Sequence, residues 1–535
     1  MTLNNANDFA KAIAVKDGKI EKVWLTEPEP EEFDNSAHVV DLQGKTLIPG
    51  FIDTHNHILS YGLMLEMVDC SISTTPTMDV LLENIAAKVA SLPEGEWVQG
   101  YGYDDTLLAE KRHPTREDLD RVSPNHPVYL SHLSGHIAVA NSKALEIARV
   151  DDHIQDSSKG QFGRFEDGRL NGVLYEHGAM GEVNRFIPEK TIDEMVTILE
   201  RVAHHFLAQG ITMNTVAAVG MMQDAEEEIE VHIQAGKSLK NPMRTQLILV
   251  HELFEKGGVF EHHLAEDLSA DLKKRSDDRV RLDGVKLFQD GSIQGLTAAL
   301  RQPYEQYPDK MGTLIHSQEV LNEKLLDFHK RGFRIAIHGN GDAAIGSILK
   351  AYSYILNELP KGHHLHRIEH VQTATDDDLN EMQALGVAAS FFINHIYYFG
   401  DRHEELFLGK ERAARMNPVK SAIDRNILFT LHSDCPITPV SPLFSVWAAV
   451  NRVTMEGKVL GENERSDVLN ALKSMTLYGA ELNFDGDHAG SIEVGKRADF
   501  AVLDKNPLTI DPMEIKNITV LETYIDGNIV YSHND

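Results

Sequence analysis

The sequence predicts an α/β fold: a (β/α)8 TIM-like barrel with an inserted subdomain, plus a small β-sandwich formed by the two chain ends. Three observations lead there. Eight short apolar runs alternate with helical patterns through the middle of the chain. Histidines, a lysine and an aspartate stand at the C-terminal ends of several of those runs, where barrels place their active sites. Short alternating strands with tight turns occupy both termini and not the middle.

The termini come first. Residues 12–24 alternate apolar and polar around Asp17-Gly18, which predicts a β-hairpin. Residues 39–41 and 46–48 flank a second turn at Gln43-Gly44. Near the other end, 498–504 and 520–531 read as strands, the latter broken at Asp526-Gly527. Pairing the ends gives a sandwich of residues 1–49 with 485–535, around a barrel domain of 50–484. The eight barrel strands are expected at 50–53, 211–215, 244–250, 284–288, 334–338, 366–370, 387–391 and 427–431. Residues 343–359, 377–385 and 466–482 carry apolar residues at helical spacing. The interval of about 60–205 is too long for one βα unit and reads as an inserted subdomain that walls or lids the site. Within it, 127–132 is a further apolar run.

Length and composition fit this plan. A chain of 535 residues accommodates a barrel of ~250 residues with extra modules. No apolar run is long enough for a membrane span, and residues 1–8 lack a basic start and an apolar stretch, so no secretory signal is expected. Cys70 and Cys435 are the two cysteines, which rules out a disulfide framework and suits a cytoplasmic location. The formal net charge of −31 argues against binding nucleic acid or an anionic membrane. The partner expected is a small-molecule substrate, and a homo-oligomer is compatible with the sequence. Among 27 histidines, the pairs His204-His205, His262-His263 and His363-His364 lie in polar surroundings and read as surface residues.

The chemistry is carried by position. Residues 48–57 read as an apolar strand ending in His55-Asn56-His57. Residues i and i+2 of a strand share a side, so these two imidazoles aim at one point, as a divalent-metal site requires. Alone, such a pair is commonly an accident of a wet strand end. Here Lys286 stands on the fourth strand, His338 ends the fifth, His370 the sixth and Asp434 the eighth. Six metal-type residues thus fall at one end of five strands. The Gly339-Asn340-Gly341 turn has two glycines and no lysine, and makes a poor phosphate loop. Cys435 beside Asp434 reads as packing.

With these stretches in view, the chain resembles the amidohydrolase superfamily, in particular the amidohydrolase-3 group that includes N-substituted formamide deformylases and AepA-like proteins. The resemblance covers nearly the whole chain. It is carried by residues 49–57, by Ser131-His132-Leu133-Ser134-Gly135-His136 with Asn141-Ser142-Lys143-Ala144-Leu145, and by Asn171-Gly172-Val173-Leu174-Tyr175-Glu176. It continues through 285–292, 338–343, Glu369-His370, 432–436 and 490–499. Residues 390–398 depart from the Gln-Pro version seen in other members and look like the AepA-like branch.

The resemblance implies His55, His57, His338 and His370 as metal ligands, and Asp434 as both ligand and general base. It implies one or two divalent ions, zinc first among them. Lys286 stands where many members carry an N6-carboxylated lysine bridging two metals. A plain ammonium ~4 Å from a doubly charged ion would be repelled by about 8 kcal/mol at an effective dielectric of ~20. Lys286 is therefore carboxylated, neutral or turned away, or else a core-edge residue paired with Asp283 or Asp290. His136 and Asp290 border the pocket in this resemblance and are expected to orient substrate. His136 could equally be a packing histidine of the insert, and Asp290 a cap or turn residue. The function implied is metal-dependent hydrolysis of a C–N bond in an amide, N-acyl or N-formyl amine. Deamination, ester or lactone hydrolysis, isomerisation, or a non-catalytic role are the alternatives.

Overall fold

The computed structural model describes every residue except 30, 31, 33–36, 135, 158, 159, 222, 223, 534 and 535. Gly135, part of the Ser131–His136 stretch quoted above, lies outside the described residues. The chain divides into two compact units, one of Met1–Ile58 with Val196–Asp535 and one of Leu59–Met195.

The first unit holds the barrel. Its strands are β1 (Phe51–Asn56), β2 (Ile211–Val219), β3 (Arg244–Val250) and β4 (Val280–Phe288). They continue as β5 (Ile335–Gly339), β6 (Arg367–His370), β7 (Ala388–Phe392) and β8 (Phe429–His432). All neighbours pair parallel, in sequence order from β1 to β8. Where β1 and β8 face each other, the Thr54 hydroxyl donates to Thr430 Oγ1 at 2.8 Å. Just beyond, the His57 N–H donates to Cys435 O, also at 2.8 Å. Every residue of β1, β2, β6, β7 and β8 is buried, as expected of strands covered on both faces.

Helices follow the strands. Asp342–Glu358 comes after β5 and Asp376–Leu385 after β6. The second is framed by its sequence. Thr375 and Asp378 form a capping box at the start, and Gly386 ends it at φ 69°, a left-handed cap that a side chain would strain.

Two expected elements of this unit form differently. Residues 39–41 form no strand: Val39 is 70% and Val40 53% exposed, and neither pairs with a strand among the described residues. The helix expected over 466–482 is two, Val468–Ser474 and Leu477–Leu482. Thr476 parts them, its hydroxyl donating to Leu472 O at 2.9 Å, a local bond that competes with helical continuation.

The chain ends do pair. Thr46–Pro49, Phe500–Leu503, Val520–Ile525 and Asn528–Ser532 form one antiparallel sheet in that order. The hairpin of Ala12–Lys16 with Lys19–Trp24 forms a second. Ile20, Ile492, Ala498 and Phe500 make the core between them, with Ile13, Val23, Leu47 and Tyr524 at its border.

The second unit is a six-stranded mixed sheet. Its order is Val68–Asp69, Val98–Tyr103, Val128–His132, Ile137–Ala140, Leu170–Tyr175 and Gln161–Arg164. Two apolar clusters build it, one around Leu81, Ile85, Leu119 and Leu130, the other around Tyr129, Leu145, Phe162 and Val183.

Candidate metal centre

The strand period brings His55 and His57 together as expected, their ring centroids 5.6 Å apart. Asp434 meets both: its Oδ1 lies 3.2 Å from His55 Nε2 and 3.3 Å from His57 Nε2. His370 stands 5.2 Å from His55 by ring centroids, and His338 4.4 Å from His370. Lys286 is 1% exposed, and its Nζ has no hydrogen-bond partner among the described residues. The expected alternative, a pairing of Lys286 with Asp283 or Asp290, does not form. Asp283 instead pairs with Arg334 and Arg367, and Asp290 accepts from the backbone N–H groups of Ala299, Asn340 and Gly341.

The local backbone is strained at this end of the barrel. His370 has φ 73° and Asp434 φ 53°, left-handed values that cost side-chain-bearing residues of order 1–3 kcal/mol each. Strand alternation alone would put Glu369 and His370 on opposite sides. The left-handed turn at His370 lets both approach the cluster.

Neighbouring groups assign the imidazole protons. His57 Nδ1 lies 2.9 Å from Ala217 O, so Nδ1–H donates and the Nε2 lone pair faces Asp434. His338 Nε2 lies 2.9 Å from Gly291 O, so that nitrogen donates and Nδ1 keeps its lone pair. His55 Nδ1 lies 2.7 Å from Glu369 Oε2. Burial pushes the Glu369 carboxyl up, but Arg367 and His55 outweigh it and hold the group well below the usual carboxylate range. It is therefore ionised, and His55 Nδ1–H is the donor.

Charge states follow the same logic. Burial pushes His338 down to about 4 and His370 well below an ordinary imidazole, so both are neutral at pH 7. Burial pushes the Lys286 amine down to about 8 against the pull of Glu369 and Asp434. Burial raises Asp434, but the adjoining imidazoles of His55, His57 and His370 outweigh it and hold the group well below the usual carboxylate range.

Two residues here were not singled out from the sequence. His432 stacks on His55 at 4.6 Å, with Nδ1 buried and unpartnered. Glu369 braces His55. A carboxylate inside a fully buried strand, two residues from Arg367, was the available signal. His364, read as a surface residue, is buried: its Nε2 donates to Leu385 O, and its Nδ1 accepts from the His366 N–H.

The other expected residues sit differently. Asp290 Oδ1 is 3.7 Å from His338 Nε2, with both carboxylate oxygens taken by backbone N–H groups. His136 belongs to the second unit, where its Nδ1 lies 3.0 Å from Glu176 and its side chain is 59% exposed. That unit also gathers Asp104, Asp105 and His132. There the Ser134 N–H donates into His132 Nδ1, which leaves the proton on Nε2, facing Asp105 at 3.2 Å. That imidazole offers no lone pair to an ion.

The donor set around His55 fits a divalent metal. Four imidazoles, a carboxylate and a deprotonatable lysine converge there. Lys286 Nζ, His370 Nδ1 and Asp434 Oδ1 are buried without hydrogen-bond partners among the described residues.

Comparison with known proteins agrees. A model of the amidohydrolase family matches residues 38–531. The chain belongs to the amidohydrolase family. It is 30% identical to the N-substituted formamide deformylase of Arthrobacter pascens, over 99% of this chain and 96% of that protein. It is 26% identical to the exoenzymes regulatory protein AepA of Pectobacterium carotovorum subsp. carotovorum, over 66% of this chain and 74% of that one. An uncharacterized metal-dependent hydrolase from Pyrococcus furiosus superposes with a TM-score of 0.72 at 27% identity, covering 93% of this chain and 95% of that one. Hydrolysis is accordingly the reaction class, a divalent metal the cofactor the family implies, and a small molecule the substrate. Among the described residues no helix is long and apolar enough to cross a membrane.

Proposed function

We propose that this chain hydrolyses a C–N bond in an amide, N-acyl or N-formyl amine. In this reading His55, His57, Lys286, His338, His370 and Asp434 hold one or two divalent ions, zinc first among them. The observation that carries the reading is the convergence of these six side chains at one end of the barrel. Similarity to a formamide deformylase over 99% of the chain favours C–N cleavage among the reactions such a site runs.

When bound, the metal supplies Lewis-acid polarisation of the substrate carbonyl and a lowered pKa for the attacking water. The protein's residues do the rest. His57 and His338 present fixed lone pairs because carbonyl oxygens hold their other ring protons. Asp434, ionised at neutral pH, takes a proton from the water and returns it to the leaving nitrogen. The neutral amine of Lys286 can add CO2, forming an N–C bond and losing one N–H proton to solvent, so that N6-carboxylation turns a repelled cation into an anionic ligand. Asp290 orients substrate indirectly, through the Ala299 and Asn340–Gly341 loops whose backbone N–H groups it accepts. Buried, unpaired thiols at Cys70 and Cys435 suit a reducing cytoplasm.

The test is elemental analysis of the pure protein, run with a panel of N-formyl and N-acyl amines, esters and lactones. The expected result is one or two ions per chain and turnover confined to C–N substrates. Absence of metal after reconstitution with zinc, manganese or iron would sink the metal reading. Turnover of esters or lactones alone would sink the C–N assignment.

A further inference from the structure

A buried line of charge runs behind the metal-type cluster. Glu369 is fully buried. Its Oε2 meets His55 Nδ1 at 2.7 Å, and its Oε1 meets Arg367 Nε at 2.6 Å. Arg367, also fully buried, lies 3.4 Å from Asp283 Oδ2 and donates to Thr54 O at 3.2 Å. Asp283 in turn pairs with Arg334. Two carboxylates and two guanidiniums thus alternate inside a barrel that ordinarily packs branched aliphatic side chains. Burying four charges is costly, and replacing such a set by apolar residues is often neutral or stabilising. Stability alone therefore gives no reason for the line. Its end at His55 does.

We infer that Glu369 is the positioning residue for His55: it holds the imidazole proton on Nδ1 and so commits the Nε2 lone pair to the metal, while Arg367 keeps Glu369 in place. The inference rests on the metal-site reading above. Its chemistry makes one substitution decisive. A guanidinium is a donor only. A carboxylate can accept from Arg367 and from His55 at once. The amide of Glu369→Gln has a single acceptor oxygen. If that oxygen turns to Arg367, the NH2 group faces His55 Nδ1 and donates into it. The imidazole proton then moves to Nε2, and the lone pair meant for the metal is lost. Glu369→Asp keeps the charge and both acceptor oxygens on a shorter arm.

The experiment is chelator competition for zinc on the wild-type protein, E369Q and E369D, with thermal unfolding as the fold control. E369Q should bind one ion 10–100-fold more weakly, the range typical of lost outer hydrogen bonds to metal-bound histidines. E369D should fall between E369Q and wild type. Wild-type affinity in a folded E369Q would overturn the inference and leave the metal reading intact. No zinc uptake by wild type would instead strike the metal reading. Imidazole 15N–1H spectra of the wild type decide the matter if E369Q does not fold. They should show a hydrogen-bonded proton on His55 Nδ1, and a proton confined to Nε2 would overturn the inference.

Discussion

Asp434 stands in a costly position. It is buried, sits at a left-handed φ of 53°, and is held ionised by His55 and His57. A residue so placed serves the site, since neither its burial nor its backbone favours stability. Asp434→Asn keeps the shape and removes the proton acceptor. Turnover should fall by roughly 10²–10⁴ with the fold unchanged by circular dichroism. Activity near wild type would remove the general-base role. Asp434 was legible in the sequence because it ends an apolar strand in register with other strand ends. Glu369 lies beside His370 and carries no such strand-end signal. Strand alternation predicts that it points away from His370, and the backbone leaves the strand conformation at His370, with φ 73°.

At the scale of elements, the strands were legible because buried parallel strands read as short apolar runs. Their C-terminal ends were legible because polar residues interrupt those runs. β2 was read four residues short, ending at 215 where the strand reaches Val219, because Val216-Ala217-Ala218-Val219 carries no alternation. The break at Thr476 was not legible, since a side-chain hydroxyl and not the apolar pattern makes it. The helix Ala225–Lys237 supplies a prediction of its own. It buries His232, whose Nε2 has no hydrogen-bond partner among the described residues, and burial pushes that imidazole down to about 4. The unfolded chain titrates the same group near 6.5. Between those values the unfolded state binds more protons, so stability falls as pH drops from about 6.5 to 4, by roughly 3 kcal/mol for this residue. Denaturant unfolding at pH 7 and pH 4.5 should show the loss in wild type and a smaller one in His232→Leu. Equal losses in both proteins would place the acid sensitivity elsewhere.

For the whole molecule, one sheet of eight parallel strands collects residues separated by 379 positions, from His55 to Asp434, at one end of a barrel. The sandwich of the chain ends and the barrel were readable from local patterning. The structure of Leu59–Met195 was not, because its sheet mixes parallel and antiparallel pairs that only long-range packing selects. Substrate choice was not readable either, because it depends on loops whose side chains answer to no periodicity. The central claim is that the six converging side chains form a metal centre. An anomalous difference map at the zinc edge, from crystals of the zinc-loaded protein, tests it most directly. The expected result is density among His55, His57 and Asp434, with any second peak beside Lys286, His338 and His370. Density only at Asp104, Asp105 and His132, or none in the barrel, would contradict it.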